Sequence, residues 1–182
     1  MVEYPTQHDD FLMWVGFCIT AWARTEERLF KICETCLQAR KDRVAVVYYR
    51  TPTIDARIKL IDELVRTVLP KSQKKNGGHD HPDLVEWNRL RKDMVDLLGA
   101  RSRIAHHPVR AQSARGQNRA FWYLEKSSWF EIYASDAERL RTGRDDAKPL
   151  KQDDLVSHCH MVHEITRRAA KFSKDVLPKH VG

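Results

Sequence analysis

The sequence predicts an all-α fold, namely a four-helix bundle with a small β-hairpin or meander insertion between the third and fourth helices. Four long segments carry apolar residues at three- and four-residue steps, which is the helical period. The 182 residues include only seven glycines and seven prolines, and no low-complexity linker. Because each predicted helix has one apolar stripe, the four can bury these stripes only against each other. We therefore expect residues 1–182 to form a single helical domain.

The first helix is expected over residues 8–40, with Asp9 and Asp10 at the end where the helix dipole favours negative charge. Apart from one longer step after Trp22, its stripe follows the helical period through Phe11, Val15, Cys18, Trp22, Leu29, Cys33 and Cys36. The apolar run at 44–49 is too short to assign by period.

The second helix is expected after Thr51-Pro52-Thr53, because a hydroxyl can cap the first turn and a proline fits within it. Pro70 ends this helix, whose stripe is Ile54, Ile58, Ile61, Val65 and Val68. A flexible polar loop is expected at about 71–80. The third helix then opens at Asp80-His81-Pro82 and should end near His106, since Pro108 disfavours helix in the residue before it. Its stripe is Leu84, Trp87, Leu90, Met94, Leu97, Leu98, Ile104 and Ala105.

The β insertion is expected at about 109–135. The segments 121–124 and 129–133 are rich in aromatic and β-branched residues, which favour strands. The last helix should run from about Gln152 to Leu177, with a stripe of Leu155, Cys159, Val162, Ile165, Ala169, Phe172 and Val176.

Composition narrows the class of protein. No apolar run reaches the roughly 20 residues that a bilayer requires, and the first ten residues carry Glu3, Asp9 and Asp10 rather than the basic start of a secretory signal. Four cysteines in 182 residues do not suggest a disulfide framework. We therefore expect a cytoplasmic protein with no membrane contact. The net charge of +7 permits a polyanionic partner such as RNA without requiring one.

The end of the third helix carries the most informative residues. The apolar stripe places Arg101 on the core-facing side, where a guanidinium needs an anionic partner or a polar cleft. His106 follows five residues later, about 140° around a regular helix, although a loosened last turn before Pro108 could bring the two together. An arginine that binds phosphate beside a proton-transferring histidine suits metal-free RNA cleavage. Alternatively, Arg101 pairs with Asp62 or Glu63 and His106 caps the helix.

The segment 97–108, Leu-Leu-Gly-Ala-Arg-Ser-Arg-Ile-Ala-His-His-Pro, resembles the signature of the HEPN superfamily. That signature is an arginine, a polar residue, three further residues and a histidine, late in the third helix of a four-helix bundle. Arg101, Ala105 and His106 match its favoured form, whereas Ser102 stands where asparagine or another strongly polar residue is usual. The predicted helix order agrees along most of the chain, with an added β insertion.

The resemblance implies a metal-independent endoribonuclease without a cofactor, which acts as a homodimer with Arg101 and His106 of two subunits facing each other across a two-fold axis. Arg101, Ser102 and His106 would be catalytic, and Arg103, His107 and Arg110 would bind substrate. Many members of the superfamily are toxins, phage-defence effectors or RNA-processing domains. An antitoxin or regulatory protein is therefore a further expected type of partner. Others lack catalysis, so a non-catalytic RNA-binding or protein-interaction module is the first alternative.

A metal-dependent helical-bundle enzyme is the second alternative. His158, Cys159, His160 and His163 lie close together on the last helix, and His79-Asp80-His81 precedes the third. Cys159 falls on the apolar stripe and His160 does not, so all four cannot bind one ion, and we expect no metal there.

Two further groups have simpler interpretations. Cys33 and Cys36 fall on the stripe of the first helix and are expected to be core residues. The aromatic hairpin, with Trp122, Tyr123, Trp129 and Tyr133 near Arg110, Arg115 and Arg119, could stack RNA bases with one face, form a dimer contact or belong to the core.

Overall fold

The computed structural model describes residues 7–70, 81–113, 120–124 and 149–181. These residues are mainly helical and include one two-stranded antiparallel sheet, as the sequence predicts. The chain divides into two compact units: unit 1 comprises residues 1–22 and 97–161, and unit 2 comprises residues 23–96 and 162–182. The predicted loop at 71–80, the predicted strand at 129–133, and Arg115 and Arg119 lie outside the described residues.

Most predicted helices occur close to their expected positions. The elements in chain order are α1 (Gln7–Leu37), α2 (Lys41–Arg50), α3 (Ile54–Val68), α4 (Pro82–Asp96), α5 (Leu98–His106), β1 (Val109–Ser113), β2 (Ala120–Leu124) and α6 (Gln152–Lys171). A π-helical turn at Phe172–Val176 and a 3-10 turn at Leu177–Lys179 follow α6. Two helices differ from expectation, because the apolar run at 44–49 belongs to α2 and the expected third helix is divided at Leu97 into α4 and α5.

The core of unit 2 includes the apolar stripes of α3 and α4. Thr53 caps α3 by accepting a hydrogen bond from the Ala56 backbone N–H at 3.2 Å, which confirms the predicted helix start. Within the core, the Trp87 ring lies 5.4 Å from that of Phe172. The Trp87 indole N–H donates to an Asp62 carboxylate oxygen at 2.8 Å, so the buried ring has a partner for its polar atom.

The core of unit 1 combines the start of α1, the end of α5, the hairpin and the start of α6. Its buried apolar side chains include Phe11, Cys18, Ala21, Trp22, Ile104, Leu124, Leu155 and Cys159. In the hairpin, Val109 pairs with Leu124 and Ser113 with Ala120, and Leu124 also forms an antiparallel bridge with Leu150. Leu124 is buried, and the Trp122 ring lies 4.3 Å from that of His8. The face bearing Trp122 and Leu124 is therefore the packed one.

Candidate functional site

The short helix α5 positions the Arg101–His106 motif within unit 1. The Arg101 backbone N–H donates to the Leu97 carbonyl at 3.0 Å, which closes the first turn. The helix ends at His106 because His107 adopts an extended conformation, with φ −90° and ψ 141°. Such a conformation is the one that Pro108 favours in its preceding residue. The predicted end of the helix is thus confirmed.

The motif residues that are buried in α5 differ from those that the sequence places on the core side. Arg103 is 9 % exposed and Ile104 is 4 % exposed, whereas Arg101 is half-buried. Ala105, expected on the apolar stripe, is exposed, and this part of the prediction is wrong. The stripe continued from Met94 places Arg101 and Ala105 inward, whereas the buried residues of α5 are Arg103 and Ile104.

Arg101 and His106 leave α5 in different directions. Five residues along a regular helix correspond to about 140° of rotation. The last turn, whose loosening could have brought the two side chains together, keeps its helical bond, since the His107 N–H donates to the Arg103 carbonyl at 2.9 Å. The motif of one chain therefore presents an exposed imidazole on one side and a half-buried guanidinium, which has an interaction partner, on another.

The other motif residues differ in their access to solvent. Ser102 is exposed, as is Arg110, which lies on β1 opposite Tyr123. His107 is half-buried at the end of α5. Arg103 is buried, and its burial favours a structural role over direct contact with a substrate phosphate. Arg103, His107 and Arg110 each have an interaction partner.

Asp62, which with Glu63 is one of the two carboxylates proposed as alternative partners of Arg101, lies in unit 2. Asp62 accepts hydrogen bonds from Trp87 at 2.8 Å and from Arg66 at 3.0 Å, and the Arg91 guanidinium lies 3.7 Å from the same oxygen. This carboxylate oxygen therefore has several partners within unit 2.

Unit 1 also presents an apolar face on the first part of α1. The segment 11–23 contains no charged residue, yet several of its large side chains are about half exposed. These are Leu12, Met13, Phe17 and Ile19, at 41 %, 46 %, 48 % and 50 % exposure. Gly16 lies among them, and a Cβ added there would meet no atom within 4 Å. Contiguous exposed apolar side chains of this kind are characteristic of interaction surfaces.

The histidines of α6 differ in burial. His158 is 3 % exposed, and its Nε2 accepts a hydrogen bond from the Trp22 indole N–H at 2.9 Å. Burial lowers the pKa of His158 to about 4 and raises the pKa of the Cys159 thiol. His160 and His163 are exposed. His158 is thus a neutral core residue whose Nε2 lone pair is already engaged.

A different set of possible metal ligands lies in unit 2. Within the part of the chain that the structure describes, His81, Asp83 and His180 form the one group of three such residues whose ligand atoms all lie within 4.8 Å of one another. Sequence reasoning noted His81 but missed Asp83 and His180. No spacing rule connects His180 with residues about a hundred positions earlier. His79 and Asp80 lie outside the described residues.

Among the described helices, none combines the length and the apolar character needed to cross a membrane.

Comparison of the chain with protein-family models, curated proteins and solved structures finds no match.

Proposed function

We propose that this protein is a metal-independent endoribonuclease of the HEPN type, in which Arg101 and His106 act on RNA at a homodimer interface. The observation that carries the proposal is the motif itself: an arginine and a histidine five residues apart on one short helix that ends two residues before Pro108. His106 is exposed, so it is accessible to a substrate.

The proposed reaction needs only these side chains and the RNA. An imidazole accepts the proton of a ribose 2′-hydroxyl, whose oxygen attacks the adjacent phosphorus. The bond from phosphorus to the 5′-oxygen breaks, that oxygen receives a proton, and a 2′,3′-cyclic phosphate and a 5′-hydroxyl remain. His106 moves the protons and Arg101 stabilises the additional negative charge on the phosphorane.

The geometry of α5 favours a site built from two chains. Because the regular helix directs Arg101 and His106 about 140° apart, the two side chains of one chain do not converge as directly as the reaction requires. Across a two-fold axis, Arg101 of one subunit can face His106 of the other, and the pairing occurs twice.

The uncharged face of α1 supports this assembly. A two-fold interface pairs one surface with itself, so a face without charge has no like-charge repulsion to overcome. Leu12, Phe17 and Ile19 supply apolar area to bury, and Gly16 lets a second helix approach closely. A second copy of this chain is the occupant we propose for the face.

A non-catalytic RNA-binding or protein-interaction module is the second candidate. The observations that favour it are the burial of Arg103, which removes one cation from the motif surface, and the small hydroxyl of Ser102 at the position where the HEPN signature has a stronger polar group. RNA, or a regulatory protein such as an antitoxin, would then bind without being cleaved.

An RNA-cleavage assay in EDTA tests the proposal. We expect single-stranded RNA to be cut, with 2′,3′-cyclic phosphate ends, and His106→Ala to lower the rate by about 10²- to 10⁴-fold, the usual contribution of a positioned general acid or base. His160→Ala, also at an exposed histidine, is the matched control and should retain activity. Unchanged cleavage by His106→Ala would contradict the proposal. RNA binding without cleavage would favour the second candidate.

A further inference from the structure

The start of α4 and the end of the chain bring together two histidines and an aspartate in unit 2. His81 directly precedes α4, Asp83 lies in its first turn, and His180 follows the 3-10 turn at Leu177–Lys179. His180 Nε2 lies 2.8 Å from an Asp83 carboxylate oxygen, and His81 Nδ1 lies 3.7 Å from the same oxygen. The two imidazole rings are 5.5 Å apart and nearly perpendicular.

These distances match those between ligands of a small tetrahedral ion. Zinc binds histidine nitrogen and carboxylate oxygen at about 2.0–2.2 Å, so neighbouring ligand atoms lie roughly 3.3 Å apart. The separations of 2.8 Å and 3.7 Å lie on either side of that value, so only small side-chain rotations are needed. Perpendicular rings also allow both nitrogen lone pairs to point at one ion without contact between the rings.

The hydrogen bonds of the cluster leave its ligand atoms available. The contact between His180 and Asp83 holds one proton between the ring nitrogen and the carboxylate oxygen, and an ion would displace that proton. His81 Nδ1 accepts only a long bond, 3.3 Å, from the Asp83 backbone N–H. The ligand atoms of the three side chains can therefore exchange these hydrogen bonds for bonds to the metal.

We propose that His81, Asp83 and His180 bind one zinc ion. Two imidazoles and a carboxylate with a further position open to solvent form a donor set typical of zinc and related divalent ions. The side chains of His81, Asp83 and His180 are 37 %, 29 % and 16 % exposed, so an ion can enter and water can complete its coordination. Binding links the last residues of the chain to the start of α4, and is separate from the motif on α5.

Titration calorimetry with zinc chloride, on protein treated with chelator and freed of any metal-binding tag, tests the site. We expect one equivalent to bind with a dissociation constant below about 10 µM. His180→Ala and Asp83→Asn should each weaken binding at least tenfold, because a ligand is lost. His163→Ala, an exposed histidine on α6, is the matched control and should bind like the unaltered chain. Circular dichroism establishes that each variant is folded.

Cobalt(II) substitution identifies the ligands, since cysteine thiolates give an intense near-ultraviolet charge-transfer band that nitrogen and oxygen ligands do not. We expect visible bands of a four-coordinate ion without this thiolate band, lost in His180→Ala. Absence of zinc binding, equal affinity of His180→Ala and His163→Ala, or a thiolate band at one equivalent would each overturn the proposal. RNA cleavage in EDTA should not change in His180→Ala, so the two proposals can fail independently.

Discussion

The indole N–H of Trp22 donates a 2.9 Å hydrogen bond to Nε2 of His158, and both side chains are buried in unit 1. Because Nε2 accepts, the neutral imidazole carries its proton on Nδ1. The histidine that the sequence offered as a possible metal ligand is therefore part of the core, and burial holds its pKa at about 4.

This buried histidine makes stability depend on pH. In the unfolded chain an imidazole titrates near 6.5, so between pH 6.5 and 4 the unfolded state binds a proton that the folded state does not. The stability contributed by neutral His158 is thus complete above pH 6.5 and is lost as the pH falls towards 4. We expect the free energy of unfolding to decrease by about 2 kcal/mol from pH 7 to pH 5 through this group.

Urea denaturation at the two pH values measures the effect. His158→Gln keeps an acceptor for Trp22 but cannot titrate, so its stability should change less between pH 7 and 5. His163→Gln, at an exposed site, should leave the full pH dependence in place. An identical pH response in all three proteins would show that other groups dominate acid unfolding.

The exposed face of α1 leads to a prediction about assembly. Phe17→Glu places a charge within an uncharged surface, and pairing across a two-fold axis would bring two such charges together. By sedimentation equilibrium, we expect the unaltered protein to be dimeric and the variant to be monomeric. Val46→Glu on α2 is the control, because Val46 is equally apolar and 54 % exposed. Dissociation by Val46→Glu alone would place the interface elsewhere.

Helix positions were predictable where the apolar period was unbroken. In α4, Leu84, Trp87, Leu90 and Met94 are all buried as expected. In α1, Thr25 lies within the longer step after Trp22 and is fully buried. Its hydroxyl is hydrogen-bonded to that of Thr166 at 2.8 Å, so its polar group has a partner in the core. A polar residue on an apolar stripe cannot be recognised without its partner, and that partner is far away in the sequence.

Two features of the fold could not be predicted from the spacing of apolar residues. In α2, the apolar run contributes only Val44 and Tyr48 to the core, while Val46, Val47 and Tyr49 are exposed, so the pattern of apolar residues did not reveal the buried side. At the candidate site, the sequence located the motif and the end of α5. The turn at Leu97 is marked by neither proline nor a capping residue, and the burial of Arg103 rather than Arg101 was not predicted.

The exposed position of Ser102 allows a test of its role. If Ser102 is a weaker form of the polar group usual at this place, Ser102→Asn should retain or increase RNA cleavage. The substitution should leave the melting temperature nearly unchanged, because the side chain is exposed. Steady-state cleavage rates and thermal denaturation of the two proteins measure both effects. Loss of cleavage with an unchanged fold would show that the hydroxyl itself is required.

Mixing two inactive variants distinguishes a site within one chain from a site shared by two. Arg101→Ala and His106→Ala should each remove nearly all cleavage, since each lacks one member of the proposed pair. In a dimer with one chain of each kind, a shared site restores one complete pair: Arg101 from the His106→Ala chain and His106 from the Arg101→Ala chain. A site within one chain leaves no complete pair.

After random reassortment, half of the dimers are mixed and each has one intact site of two, so we expect about a quarter of the unaltered activity. The variants are mixed under conditions that allow subunit exchange, and cleavage is followed in EDTA over time. Arg101→Lys mixed with Arg101→Ala is the control and should remain inactive, because an ammonium group cannot reproduce the two-pronged contact of a guanidinium with phosphate. Failure to recover activity, with exchange verified by differently tagged chains, would contradict the shared site that the geometry of α5 favours.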